Sequence, residues 1–179
     1  MSILLGEADP SAEEQGLEAA RLALDPTAEP TTSGRNAGFL RNDAVLAVIF
    51  VSDENDFSVL QPNSTSGVQH AWWCDRGDKG FIGWGYPTDA TAVCAPVSTY
   101  TDFFLNLKGG DAAMLQLSAI VDPGGGADCS SASTGSRYLE LMTATAGITE
   151  RVCEAEMGPA MTRMSEVIAN KALTRFKAT

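Results

Sequence analysis

The stretch Ala44-Val45-Leu46-Ala47-Val48-Ile49-Phe50-Val51 decides the fold of this chain, because it is a continuous run of apolar residues, half of them β-branched, without polar alternation. Such a run predicts a strand that is buried on both faces of a parallel sheet. It ends in the polar cluster Ser52-Asp53-Glu54-Asn55-Asp56. In open α/β sheets ligands bind beyond the carboxyl ends of the strands, so this cluster is the first candidate for a functional site.

Helices and strands alternate on both sides of this stretch. Ser11, followed by Glu13 and Glu14, predicts a capping-box start to the first helix. Periodicity and stop signals predict helices over 11–24, 99–108, 136–146 and 158–176, and further strands over 114–121 and 148–152. The order helix–strand–helix–strand–helix–strand–helix predicts an α/β fold with a mostly parallel sheet.

The length and charge restrict the function classes. A chain of 179 residues predicts a single domain over 1–179, and the irregular stretch at about 57–99 predicts a long insertion in it. The net charge of −11 disfavours nucleic acid and anionic membranes as partners and suits divalent cations. No apolar run reaches the roughly 18 residues that a membrane span needs.

The four cysteines are Cys74, Cys94, Cys129 and Cys153, and the single histidine is His70. No cysteine lies in a CxxC pair, so a finger-type zinc site is not expected. Of the three possible pairings, Cys74–Cys94 with Cys129–Cys153 closes the shortest loops; free thiols are the alternative. Disulfides would place the chain in an oxidising compartment. Because residues 1–6 do not resemble a signal peptide, that location requires a longer exported protein.

The acids after the first strand have two interpretations. Asp53, Glu54 and Asp56 offer hard oxygen ligands that suit Mg²⁺ or Ca²⁺. The alternative is a solvated turn, an Asx turn or a helix cap, which are common uses of acids directly after a strand.

The segment from Leu40 to Glu54 resembles the central strand of von Willebrand factor A-type domains, most closely the secreted bacterial versions, in which an Arg-x-Asp-Ala segment precedes a "VIFVSDE"-like strand. Later parts of the chain are similar to the family at the level of pattern. They are 14–20, 100–107, 115–121, 138–147 and 158–168. The resemblance covers most of the chain in order, and the strand-to-acid segment is its specific part.

The resemblance implies a Rossmann-like sheet with helices on both faces and a metal-ion-dependent adhesion site. That site combines an Asp-x-Ser-x-Ser loop, a Thr in a second loop and an Asp that corresponds to Asp53. The second loop here reads 6–12 and holds no Thr, so Ser11 or Asp9 would take that position. The resemblance therefore implies Asp53 with Ser11 or Asp9 as ligands of Mg²⁺ or Ca²⁺, and the acid cluster adds Glu54, so that the expected ligands are Asp53, Ser11, Asp9 and Glu54.

The main departure from the family is that the chain contains no Asp-x-Ser-x-Ser motif. The resemblance then implies that the family's first three strands precede Met1 and that the domain is N-terminally incomplete. The strand over 44–51 would lack its inner neighbour, so we expect a protein ligand, another subunit or a second copy of the chain to cover the open edge.

The expected function is an extracytoplasmic binding or adhesion module, not an enzyme, that uses Mg²⁺ or Ca²⁺ at Asp53. The first alternative is a metal-free structural or assembly subunit. The second is a Mg²⁺-dependent hydrolase using Asp53, Glu54 and Asp56, which is disfavoured because no general base or phosphate-binding loop accompanies the acids.

Overall fold

The computed structural model describes residues 14–25, 36, 38–58, 95–125, 129 and 134–177. In chain order the elements are α1 (Gly16–Leu24), β1 (Leu46–Val51), α2 (Val97–Asn106), a short 3₁₀-helix (Ala112–Met114), β2 (Leu115–Val121), α3 (Ser136–Thr145), β3 (Ile148–Arg151) and α4 (Gly158–Lys177). The strands form an open, all-parallel sheet in the order β1-β2-β3. This confirms the predicted α/β fold and the predicted alternation of helices and strands.

The central strand of the described sheet is β2, and every one of its residues is buried. The prediction that the 44–51 run is buried on both faces is wrong, because β1 buries one face and exposes the other. Among the described strands β1 stands at the edge of the sheet. Leu46 and Phe50 are buried, whereas Ile49 is 36% and Val51 60% exposed. An apolar run has the same local pattern at the centre and at the edge of a sheet, so strand order decides its burial.

The two faces of the sheet carry different helices. Alternate residues of a strand point to opposite faces, and Leu46 and Phe50 belong to the core that α1, α2 and α3 cover together with Leu117 and Ala119. On the other face, Lys171 of α4 donates to the side-chain oxygen of Gln116. Helices therefore lie on both faces, as predicted, with three helices on one face and α4 on the other.

The first helix begins later than the sequence indicates. Its first residue is Gly16, and Glu14 and Gln15 precede it without helical geometry. The proposed cap Ser11 lies outside the described residues. The N–H groups of Leu17 and Glu18 are bonded by side chains that follow β1, 39 and 40 residues further along the chain. A cap supplied from so far away leaves no local signal at the helix start.

Tight packing fixes how the third helix connects to the last strand. The left-handed residue that ends α3 is Ala146, with a φ of 51°, although a glycine, Gly147, follows it directly and glycine is the usual residue in this conformation. Gly147 is instead required by space, because a Cβ there would lie 2.5 Å from Sδ of Met142 and 2.9 Å from the carbonyl oxygen of Leu117.

A disulfide joins Cys129 to Cys153, as predicted, with their Cα atoms 5.3 Å apart. It connects the segment after β2 to the turn after β3. The other predicted pair, Cys74–Cys94, lies outside the described residues. So does most of the predicted insertion at 57–99, although Phe57 and Ser58 are buried at its start and α2 already begins at Val97. Among the described residues, no helix is long and apolar enough to cross a membrane.

Candidate functional site

The segment after β1 changes from exposed to buried within a few residues. Asp53 is exposed and Glu54 is half-buried. Asn55, Asp56 and Ser58 are completely buried. Because the strands are parallel, this segment lies at the same end of the sheet as Asp122, which follows β2. We call this end of the sheet, formed by residues 52–58 and Asp122, the carboxyl rim.

The buried carboxylate of Asp56 caps the first helix. Its Oδ1 accepts from the N–H of Leu17 at 2.9 Å and from the hydroxyl of Ser58 at 2.7 Å. Its Oδ2 accepts from the N–H of Ser58 at 3.1 Å and from Nε of Arg137 at 3.0 Å. The hydroxyl of Ser58 in turn accepts from the N–H of Glu18 at 2.9 Å. Two helix N–H groups that would otherwise lack partners are thereby satisfied by one carboxylate and one hydroxyl.

Each oxygen of Asp56 accepts two hydrogen bonds, so the four acceptor positions of the carboxylate are filled. A carboxylate in this state has no lone pair left for a metal ion. Asp56 is therefore not available as one of the three acidic ligands that the hydrolase alternative requires. It caps α1 instead, and a helix cap was the alternative interpretation of these acids.

The partner of Asp56 is Arg137 in the first turn of α3, and the ion pair is almost fully buried. The Nη2 of Arg137 donates to the carbonyl oxygen of Ala95 at 2.6 Å, and its backbone N–H donates to Oδ1 of Asn55 at 3.0 Å. The side-chain amide of Asn55 donates to the hydroxyl of Ser136 at 3.0 Å. This network joins the segment after β1, the start of α2 and the start of α3 into one rigid unit.

A second buried acid, Glu18, lies in the first turn of α1, next to this network. It accepts from the hydroxyl of Tyr100 at 3.2 Å and pairs with Arg21 one turn further along α1. Burial, reinforced by the charge of Glu18, raises the pKa of Tyr100 well above its ordinary value. Burial, with the nearby charges of Asp56 and Glu14, likewise raises the pKa of Tyr138. Both phenols therefore act as neutral packing groups in the ordinary pH range.

Ser52 connects the rim to the residues before α1. Its hydroxyl donates to Oε2 of Glu14 and accepts from the N–H of Glu54 at 3.1 Å. Glu14 itself is exposed. The exposed carboxylate of Asp53 thus follows a side chain that is held in place by an acid from another part of the chain.

The acid after the next strand has a local structural role. Asp122 is buried, and its Oδ1 accepts from the N–H of Gly124 at 2.9 Å, which forms an Asx turn. Gly124 has a φ of 80°, a conformation that favours glycine. The glycine-rich segment after β2 is therefore a turn in its described part.

The structure describes two of the four predicted ligands, and these two are neighbours in the sequence. Asp53 and Glu54 are adjacent on the rim, whereas Asp9 and Ser11 lie outside the described residues. No group of three or more His, Cys, Asp or Glu side chains within the described part of the chain has the geometry of a metal site. The carboxylate of Asp53 has the hard-oxygen chemistry that Mg²⁺ and Ca²⁺ prefer, so the donor type fits the implied ion.

The sequence did not identify Arg137, Glu14 or Ser58 as residues that hold the segment after β1. Arg137 carried a signal, because a cation in the first turn of a helix is disfavoured by the helix dipole unless an acid neutralises it. The roles of Glu14 and Ser58 depend on contacts between segments about 40 residues apart, and no local pattern marks them. Comparisons with family models, with curated proteins and with solved structures found no match to this chain.

Proposed function

We propose that this chain is a non-catalytic protein-binding module of the von Willebrand factor A type, which acts outside the cytoplasm. Its binding surface would be the carboxyl rim at Asp53 together with the edge of β1 that pairs with no strand among the described residues. The observation that carries the proposal is the contrast between Asp53, which is exposed, and Asp56, which is buried and saturated with hydrogen bonds.

The position of Asp53 supports a role in binding. It follows a strand of an all-parallel sheet at the end where ligands of open α/β sheets dock. The network of Asp56, Arg137 and Asn55 holds the backbone of this segment on its buried side. A rigid segment presents an exposed carboxylate at a small cost in conformational entropy, which favours a binding role.

A divalent ion would be held by Asp53, with Glu54 beside it and with Asp9 and Ser11 as the further ligands that the family resemblance implies. The ion would bridge the rim to an acidic group of the partner protein. The Cys129–Cys153 disulfide supports the extracytoplasmic location, because such bonds persist in oxidising compartments.

A metal-free assembly subunit is the second candidate, and the exposed apolar face of β1 favours it. Ile49 and Val51 point to the face of the sheet that α4 occupies, yet both stay exposed there. Exposed apolar residues on an edge strand are typical of a surface that another protein covers. A hydrolase would need a metal ligand other than Asp56, since the carboxylate of Asp56 is engaged in four hydrogen bonds.

Calorimetric titration with Mg²⁺, Ca²⁺ and Mn²⁺ tests the ion-dependent form of the proposal. The wild type should bind an ion, and Asp53→Ala should abolish that binding. Asp43→Ala is the matched control, because Asp43 is also an exposed carboxylate but lies before β1 and pairs with Arg41. Equal binding by wild type and Asp53→Ala, or no binding at all, would leave the metal-free candidate. Turnover in a phosphatase or esterase screen would contradict the non-catalytic assignment.

A further inference from the structure

We propose that the partner of the β1 edge is a second copy of this chain, bound as an antiparallel, two-fold symmetric pair of β1 strands. This inference rests on the proposed function in so far as it identifies the occupant of the surface named there. It requires no metal ion. Two three-stranded sheets would join through β1 into one continuous sheet of about six strands, a common size.

The backbone of β1 has its outward hydrogen-bonding groups on the residues whose side chains are exposed. The N–H of Ser52 donates to the carbonyl oxygen of Ile120 on β2 at 3.1 Å. Because successive N–H groups of a strand point in opposite directions, those of Ala47, Ile49 and Val51 point away from β2. Within the described residues β1 pairs with β2 alone. These outward groups can therefore form a ladder with another strand.

The side chains select a register for that ladder. Opposite residues of an antiparallel pair lie on the same face of the sheet, so a two-fold pair must match Ala47, Ile49 and Val51 with one another. With Ile49 opposite its own copy, Val51 lies opposite Ala47. The exposed Ile49 and Val51 of both copies then form one apolar cluster, while Leu46 and Phe50 stay in the core of each subunit.

Charge complementarity favours a second copy as the occupant. Two basic side chains, Arg41 and Lys108, lie at the amino end of β1, where Nζ of Lys108 donates to the carbonyl oxygen of Arg41; Asp43 is the acid there. At the carboxyl end are Asp53 and Glu14, both exposed acids. An antiparallel pair brings the basic end of each copy toward the acidic end of the other, whereas a parallel pair would place like charges together.

The overall charge sets the conditions of the test. Each copy carries a net charge of −11, which opposes association at low salt. At about 0.15 M ionic strength the Debye length is roughly 8 Å, so long-range repulsion is screened while contacts at the edge remain. Sedimentation equilibrium of the full chain over roughly 1 to 100 μM, in EDTA, should show a reversible dimer. A monomer throughout this range would overturn the proposal and would leave ion binding at Asp53 untouched.

A lysine at the edge tests where the contact lies. Val51→Lys should raise the dimer dissociation constant by on the order of 100-fold, because each copy loses an apolar side chain that the dimer would cover and a lysine takes its place at the interface. Leu173→Lys on α4 is the matched control, since Leu173 is 56% and Val51 60% exposed. Equal weakening by both variants, or none by Val51→Lys, would overturn the proposed interface. Circular dichroism verifies that each variant is folded.

A charge exchange tests the antiparallel orientation independently of folding effects at β1. Arg41→Glu and Asp53→Arg should each weaken the dimer, because each places like charges across the two-fold axis. The double variant should recover most of the affinity, since the two ends again carry opposite charge. If the double variant dimerised no more tightly than the two single variants, the antiparallel arrangement would be overturned.

Discussion

Replacing Arg137 by methionine should strongly destabilise the fold, because it leaves Asp56 buried without its cationic partner. The guanidinium of Arg137 provides one donor to Asp56 and one to the carbonyl oxygen of Ala95. Breaking a buried pair from one side costs about 3–5 kcal/mol. Asp56 keeps three other donors, from Leu17 and Ser58, so we expect the lower end of that range, about 3 kcal/mol.

A loss of this size is a large fraction of the roughly 5–15 kcal/mol that stabilises a typical domain. For a chain of 179 residues it corresponds to a fall in the melting temperature of roughly 6–12 °C. Urea denaturation followed by circular dichroism measures the free energy of unfolding, and a constant slope against urea shows that the compactness of the unfolded state is unchanged.

Arg163→Met is the matched control, because Arg163 also pairs with an acid, Glu150, but its side chain is 54% exposed. An exposed pair contributes about 0–1 kcal/mol, so this control should remain close to wild type. The double variant Asp56→Asn with Arg137→Met should be more stable than the sum of the two single changes predicts, because neither charge is then buried alone. If Arg137→Met were as mild as Arg163→Met, the assignment of Arg137 as the neutralising partner of Asp56 would be wrong.

Three further predictions concern the buried side of the rim and the sheet. Gly16→Ala should destabilise the protein by about 1–3 kcal/mol, because its Cβ would clash with the hydroxyl oxygen of Tyr138. Adding Tyr138→Phe in the same chain should relieve most of this loss in thermal denaturation, and an unchanged loss would contradict the clash. Burial raises the pKa of Tyr100 and Tyr138 in the folded protein. The free energy of unfolding should therefore be unaffected by these groups below their ordinary pKa near 10 and should fall as the pH rises above it, because the unfolded state then loses protons that the folded state keeps. Tyrosine ionisation that precedes unfolding in an absorbance titration would contradict this. Ser118→Ala should be neutral or stabilising by up to about 1 kcal/mol in urea denaturation, because the buried hydroxyl of Ser118 has no hydrogen-bond partner among the described residues. A loss of about 2 kcal/mol would reveal a partner.

The sequence predicted the element order well, because apolar periodicity and glycine stops are local signals. The helix over 99–108 corresponds to α2 at Val97–Asn106, and Gly109 and Gly110 follow it with positive φ, as a helix stop requires. The strand over 114–121 and the helix over 136–146 match β2 and α3 to within a residue at each end.

The same local signals could not distinguish a strand at the edge of the sheet from a strand at its centre. The runs that became β1 and β2 are both apolar, yet β2 is flanked on both sides within the described sheet and β1 on one. Which strand is central depends on long-range pairing, and a hydrophobic pattern does not encode it. The expectation of an open edge on β1 came from the family resemblance and stays a prediction; the exposure of Ile49 and Val51 concerns a face of the strand and not its edge.

The acids of the rim show why a candidate site is harder to predict than a fold. Asp53, Glu54 and Asp56 stand within four positions and have nearly identical chemistry, yet one is exposed, one half-buried and one sealed in the interior. Their environments are set by Arg137 on α3 and Leu17 on α1, which approach from distant parts of the chain. Residue type at a given spacing predicts which ligands are available, and tertiary contacts decide which of them remain accessible.

Paramagnetic relaxation by Mn²⁺ tests most directly whether Asp53 is the accessible ligand of the rim. In the nitrogen–proton correlation spectrum of the full chain, substoichiometric Mn²⁺ should broaden the amide signals of Asp53 and Glu54 first, and Asp53→Ala should remove this effect. Broadening that begins around Asp43 or spreads evenly over the exposed acids, with Asp53 unaffected, would contradict the proposed binding rim.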